Sequence, residues 1–217
     1  MCGRFNGIPE SDFQAFGLKA PPRYHQSHNI APGTYQAVLL KESPLHAELM
    51  KWGLIPFWSK EPKVKFSTIN ARSETIATSP AFREAFKKRR CLIPASGFYE
   101  WMRHKDGTKQ PYYIHLKSRP VFSFAGIWDS WKDVEEKELR TFSIVTTTPN
   151  DLMASIHTRI PVILPRDAED AWTSHTTSLS VLESIMKPYD ASNMDAYRIS
   201  TRVNSPENND PRILEKV

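Results

Sequence analysis

Cys91-Leu92-Ile93-Pro94-Ala95-Ser96-Gly97-Phe98-Tyr99-Glu100-Trp101-Met102 is an almost unbroken apolar and aromatic run. Its composition reads as strand, and over its second half alternation puts Phe98, Glu100 and Met102 on one face and Tyr99 and Trp101 on the other. Asp106-Gly107 follows, then the strand-like run Tyr112 to Leu116, so the pair predicts a hairpin with a turn at the Asp-Gly step. Runs of the same character recur at Tyr35 to Leu40, Leu49 to Ile55, Val121 to Trp128, Thr141 to Thr147 and Ile160 to Leu164. Helical patterns are fewer: Glu10 to Phe16, Pro80 to Lys88, Asn150 to Ile156, Asp167 to His175 and Leu179 to Met186, several behind a serine, aspartate or proline start signal. The sum predicts an α+β fold: antiparallel strands forming a barrel-like core, with short helices flanking it. The pattern leaves the pairing order open.

The chain has 217 residues, 40% of them apolar and six of them tryptophan, enough for one substantial core, and a single domain over 1–217 is expected. Its 17 prolines are spread throughout and punctuate many short elements. A net charge of +5 fits a phosphate-binding surface and fits many ordinary proteins equally. The two cysteines, Cys2 and Cys91, make no zinc-type spacing, so no metal and no organic cofactor is expected. No apolar stretch is long enough to span a membrane, and no basic-then-apolar leader precedes Cys2, so a cytoplasmic protein is expected.

Cys2 is the most reactive feature. Removal of Met1 would leave a cysteine with a free α-amine, of which roughly a third is neutral at pH 7.4, against about a thousandth of a lysine. Only the neutral amine attacks a carbonyl. With an aldehyde it gives an imine, and the thiol closes onto the imine carbon to make a five-membered thiazolidine.

Other residues have two readings each. Asn70, at the end of an extended segment, either orients a substrate hydroxyl or phosphate or simply forms a turn. Glu100 becomes a general acid/base near neutral pH if its face is enclosed, and merely meets water if the Tyr99/Trp101 face is the core. His157, between a predicted helix and an apolar strand, either shuttles a proton or is an ordinary surface histidine. Arg4, Arg72, Arg159 and Arg202 are candidates for phosphate, and Trp58 is a candidate platform for an unpaired base. Trp52 reads at least as well as core, and Lys87-Lys88-Arg89-Arg90 reads as a solvated helix end.

In order along the chain come MCGRF at 1–5, Asn29-Ile30-Ala31-Pro32-Gly33, WGLIPFW at 52–58, INARSET at 69–75, ASGFYEW at 95–101, IHTRIPVIL at 156–164 and VNSPENNDPRIL at 203–214. Together these blocks resemble the SRAP family, the SOS-response-associated peptidase or abasic-site-processing proteins. The resemblance implies a single α+β domain with a barrel-like core and covalent attachment of Cys2 to an abasic site in single-stranded DNA. It implies His157 for proton transfer at sugar ring opening, Glu100 as the acid/base that expels water from the carbinolamine, and Asn70 orienting the sugar and Cys2. It further implies Arg4, Arg72 and Arg159 on phosphates, Asn29 and Pro32 lining the site, and Trp58 near the displaced bases. Thr158 stands where the family often has aspartate, and the lysine-rich segment Lys60 to Lys65 is uncharacteristic of it. Three activities are therefore in view: an abasic-site crosslinking enzyme, with AP-lyase side chemistry and a peptidase activity limited to Met1 removal; a general thiol peptidase using Cys2 and His157; and a non-covalent single-stranded DNA-binding module. The expected partner is single-stranded DNA containing abasic sites, with replication-fork proteins beside it, a monomeric state, and in a bacterium a place at the nucleoid.

Overall fold

In the computed structural model, which describes residues 2–41, 45–62 and 67–217, the chain begins with β1 (Phe5–Asn6), β2 (Tyr35–Leu40), β3 (His46–Trp52) and β4 (Asn70–Arg72). After α1 (Arg83–Lys88) come β5 (Arg90–Ala95), β6 (Gly97–Arg103), β7 (Lys109–Leu116), β8 (Phe122–Lys132) and β9 (Glu138–Thr147). Then follow α2 (Asp151–Ala154), β10 (Ile160–Pro161), β11 (Ile163–Leu164), α3 (Glu169–Thr173), α4 (Leu179–Ile185) and β12 (Met194–Arg198). The predicted helix at Glu10–Phe16 is 3-10 in form and ends on Gly17 in the left-handed region.

Strands β9-β3-β2-β5-β8 close on themselves through the β8–β9 pairing and make a barrel. All its seams are antiparallel except β3–β9, where Lys51 and Trp52 run parallel to Thr141 and Phe142. β4 adds beside β9, again parallel. A second sheet of order β1-β6-β7-β12 packs against the barrel.

The run Cys91 to Met102 is two strands in two sheets. β5 pairs with β8 in the barrel and β6 with β1 and β7 in the second sheet, so the chain changes sheets at Ser96. Gly97 permits the corner: a Cβ there would lie 2.3 Å from Cζ of Tyr113, so only a bare backbone can pass that ring. The predicted hairpin is β6–β7, and Gly107 supplies the positive φ of 86° in its turn.

Barrel strands are apolar on both sides because both sides are covered. Val38, Leu40, Cys91, Ile93, Phe122, Phe124, Phe142 and Ile144 join Phe98, Ile114 and Leu116 of the second sheet in one core. The alternate residues Ala37, Leu39, Leu92, Ala125, Ile127 and Val145 pack instead against Phe86, Trp172 and Leu182 on the helices. A third cluster joins Tyr99 and Tyr113 to Ile199, Val203 and Ile213, so the C-terminal segment covers the outer face of the second sheet.

The basic run at 87–90 is only half solvated. Arg90 is buried, and its guanidinium donates to the carbonyls of Phe86 and Lys87 at the end of α1 and of Trp172 and Ser174 at the end of α3. It thereby satisfies helix-end acceptors that the short helices leave open. Arg89 pairs with the buried carboxylate of Asp129 at 3.0 Å.

Candidate functional site

The amino terminus is tied down by its neighbours. Phe5 is opposite Phe98 in the sheet and bridges to Ile30 on its other side, and Tyr99 N–H donates to Arg4 O at 3.0 Å. The Phe5 ring packs edge-on against Trp52 and Phe124, with centroids 5.2 and 5.8 Å away. Burying such a ring contributes about 1.5–3 kcal/mol, which holds the short β1 in place. Cys2 is fully buried, and its thiol points to Arg4 O at 3.8 Å. Burial, reinforced by the negative charge of Glu100, pushes this thiol well above its ordinary pKa, so it is a neutral S–H at pH 7.

Asn70 opens β4 beside Ile144 of β9 and is itself buried. Its Nδ2 donates to Cys2 O at 2.8 Å. Its Oδ1, also buried, has no hydrogen-bond partner among the described residues. A buried acceptor left in this state loses about 1–3 kcal/mol, which an arriving donor recovers.

Both faces of β6 are covered, and the Phe98/Glu100 face looks into the main core. Glu100 is only 3% exposed. Loss of hydration disfavours its charged form and raises its pKa to about 7. His157 follows α2, its N–H bonded to Met153 O at 2.8 Å. Its Nδ1 faces both the Arg159 N–H at 3.0 Å and the Arg159 carbonyl oxygen at 3.4 Å. Nε2 stands 3.9 Å from Glu100 Oε2. Burial lowers the histidine pKa, so the ring is neutral at pH 7 while the carboxyl beside it is half protonated. The two groups open onto a cleft of about 360 Å³ lined also by Trp101, Arg103, Lys109, Ile156 and Thr158. A wider cleft, about 560 Å³ between Tyr35, Lys60, Trp131 and Lys137, lies outside this constellation.

Cys2, Asn70, Glu100 and His157 are thus in one place. The residues considered for DNA are more dispersed in their engagement. Asn29 is buried with its whole amide in use: Nδ2 donates to the carbonyls of Val203, Ser205 and Asn208, and Oδ1 accepts from Arg4 at 2.8 Å. Arg4 also donates to the carbonyls of Val203 and Asn204, so this pair fastens the C-terminal segment over the outer sheet face. Arg159 makes a two-point ion pair with Glu74, at 2.5 and 2.9 Å, and donates to Thr146 O. Arg72 is exposed at the end of β4, and Pro32 is exposed in the turn before β2. Trp58 is half exposed, with its indole N–H on Pro80 O at 3.3 Å, whereas Trp52 is core. Arg202 is exposed beside Asp210. Met1, Lys63 and Lys65 lie outside the described residues.

Sequence reading did not single out Glu74 or Asp129. Glu74 lies within the INARSET block, but its partner is 85 positions away. Asp129 accepts the Phe57 N–H at 3.1 Å and so holds the loop that presents Phe57 and Trp58. Only the tertiary structure joins these pairs. Among the described residues no three acidic, histidine or cysteine side chains converge as a metal site, and no helix is long and apolar enough to cross a membrane.

The sequence profile of the family described as SOS response associated peptidase (SRAP) matches residues 1–206. YoqW of Bacillus subtilis (strain 168), an abasic site processing protein, is 41% identical over 222 residues and the match covers 99% of each chain. HMCES of Gallus gallus, also an abasic site processing protein, is 31% identical over 225 residues, covering 88% of this chain and 66% of that one. The crystal structure of a protein from Bacteroides thetaiotaomicron superimposes with a TM-score of 0.88 at 31% identity, covering 98% of this chain and 99% of the other.

Proposed function

Because this chain belongs to the SOS response associated peptidase (SRAP) family, we propose that it processes abasic sites, capturing the lesion in single-stranded DNA as a thiazolidine on Cys2. The observation that carries this reading is the gathering of buried Cys2, held through its carbonyl by Asn70 at 2.8 Å, with Glu100 and His157, 3.9 Å apart, burial pushing the Glu100 pKa up to about 7. An aminothiol that condenses with an aldehyde needs a neutral amine, a proton donor and then a proton acceptor, and a group half protonated at pH 7 serves in both capacities.

The steps follow from these protonation states. An abasic deoxyribose is mostly a closed hemiacetal, and His157 moves the proton between ring and hydroxyl oxygens that opening requires. The Cys2 amine, freed by removal of Met1, adds to the C1 aldehyde to give a carbinolamine. Protonated Glu100 donates to the carbinolamine hydroxyl, water leaves, and an iminium remains with Glu100 ionised. The Cys2 sulfur then bonds to the same carbon while its proton passes to Glu100. The balance is aldehyde plus aminothiol giving thiazolidine plus one water, with Glu100 restored. Asn70 fixes the Cys2 carbonyl through Nδ2 and offers Oδ1 to the amine or a sugar hydroxyl.

The peptidase reading asks for a thiolate in an electropositive, partly exposed setting. Cys2 has the opposite environment, so general peptide cleavage is the weaker reading.

The test is a denaturing gel of the Met1-processed protein with single-stranded DNA carrying one abasic site, beside Cys2→Ala and intact DNA. A heat-stable shifted band that needs both Cys2 and the lesion is expected. No such band, with the free amino-terminal cysteine verified by mass spectrometry, overturns the proposal.

A further inference from the structure

We propose that the tip of the β6–β7 hairpin is a second DNA contact, with Arg103 and Lys109 taking phosphates of the single strand on one side of the lesion. This rests on the reading of the cleft as a site for single-stranded DNA. Arg103 and Lys109 are direct cross-strand partners, both exposed, and both line the cleft that holds Glu100 and His157.

Their charge is uncompensated. Among the described residues neither has an ion-pair or hydrogen-bond partner for its side chain, in contrast to Arg4, held by Asn29 and two carbonyls, and Arg159, held by Glu74. The acidic residue in the turn, Asp106, is oriented by the N–H and the hydroxyl of Thr108 and makes no ion pair with either cation. Lys105 adds a further cation at the tip. The carboxyl within the cleft, Glu100, is half neutral at pH 7.

Like charges set directly opposite on neighbouring strands repel each other and destabilise the pair. An anion seated between them removes that repulsion, and a phosphate run entering the cleft supplies it. The hairpin is rigid enough to hold both groups there: His104 N–H bonds Thr108 O, and Gly107 closes the turn. A backbone contact of this kind positions the strand and carries no base preference.

The experiment measures anisotropy of labelled, undamaged single-stranded DNA with the full chain and with the double variant Arg103→Gln/Lys109→Gln, between 50 and 200 mM salt. Undamaged DNA needs no covalent step, so failure of thiazolidine formation leaves this measurement intact. Two phosphate contacts at a slope of about 0.7 each predict that the variant's salt dependence is shallower by about 1.4, a difference of about 7-fold across that range. The melting temperature of the free variant should be equal to or above that of wild type, because repulsion has been removed. With oligonucleotides extending only 5′ or only 3′ of an abasic site, the loss should be confined to one of the two. An unchanged slope with wild type binding normally overturns the hairpin contact alone. Absence of any single-stranded DNA binding by wild type overturns the hairpin contact together with the function it rests on.

Discussion

Asn29 and Asn70 are both buried asparagines near the amino-terminal strand, and they differ in one respect. Every polar atom of the Asn29 amide is engaged, joining Arg4 to three carbonyls of the 203–208 segment. The Asn70 amide makes one bond, to the Cys2 carbonyl, and among the described residues its buried oxygen has no hydrogen-bond partner. The two faces of β6 differ in another way. On the outer face Tyr99 donates to His28 O, and Trp101 donates to Asn204 Oδ1. On the inner face Glu100 is held neutral or charged by a narrow margin. The saturated Asn29 amide belongs to the framework, and the acceptor left open on Asn70 marks the candidate site.

The largest expected effect sharpens the inner face. Glu100→Gln keeps the shape and removes the proton relay, so crosslink formation should slow by about 10²- to 10⁴-fold in single-turnover gels. The wild-type rate should be bell-shaped in pH, rising as the Cys2 amine loses its proton and falling as Glu100 ionises above about 7. In Glu100→Gln the alkaline fall should vanish. Retention of that fall would move the acid role to another group.

Asn70→Ala should slow the reaction by about 10²-fold, as loss of one orienting group does, while costing no more than about 1 kcal/mol of stability in urea unfolding. Asn29→Ala should do the reverse. It takes the Oδ1 acceptor from Arg4 and the Nδ2 donor from Asn208 O, and a loss of about 1–3 kcal/mol is expected, read as a lower unfolding midpoint. If the two variants exchange these signatures, the distinction between framework and site fails.

Glu100 also gives a stability test with a definite sign. Its folded pKa, about 7, lies above the ordinary 4.5, so the folded state binds the proton more tightly and stability is lost as pH rises from about 4.5 through 7. Above pH 7 Glu100→Gln should therefore be more stable than wild type, by about 3 kcal/mol from the difference in pKa, and the gain should disappear near pH 4. The smallest effect concerns Arg159. Glu74→Gln loosens the two-point ion pair that occupies it, and affinity for single-stranded DNA at low salt should rise by roughly 2- to 5-fold, the equivalent of about 0.5–1 kcal/mol.

Much of this was legible in the chain. Strand β2 begins and ends where its apolar run does, and the Asp106-Gly107 step marks the β6–β7 turn. What composition hides is a change of sheet within one apolar run: nothing in Cys91 to Met102 separates barrel from second sheet except Ser96-Gly97, whose meaning depends on the Tyr113 ring. The short β1 and β12 are likewise invisible, since their partners, and not their own residues, make them strands, and the extended segment read as ending at Asn70 instead pairs from Asn70 to Arg72. Ile160 to Leu164 reads as one strand but divides at Val162, because Ile160 pairs with β9 and Ile163 with β8. At the site, Cys2 could be singled out by its chemistry alone. The two readings of Glu100 could not be separated by alternation, since both faces of β6 turn out to be covered.

The most direct test of the central claim compares wild type with Cys2→Ser, both with a free amino terminus, on abasic single-stranded DNA with and without borohydride. Serine keeps the amine and loses the sulfur, so it can form the imine but not the thiazolidine. Wild type should give the same heat-stable band under both conditions, and Cys2→Ser should give one only when borohydride reduces the imine. A wild-type band that appears only with borohydride would contradict ring closure by the thiol and leave Cys2 as an amine nucleophile alone.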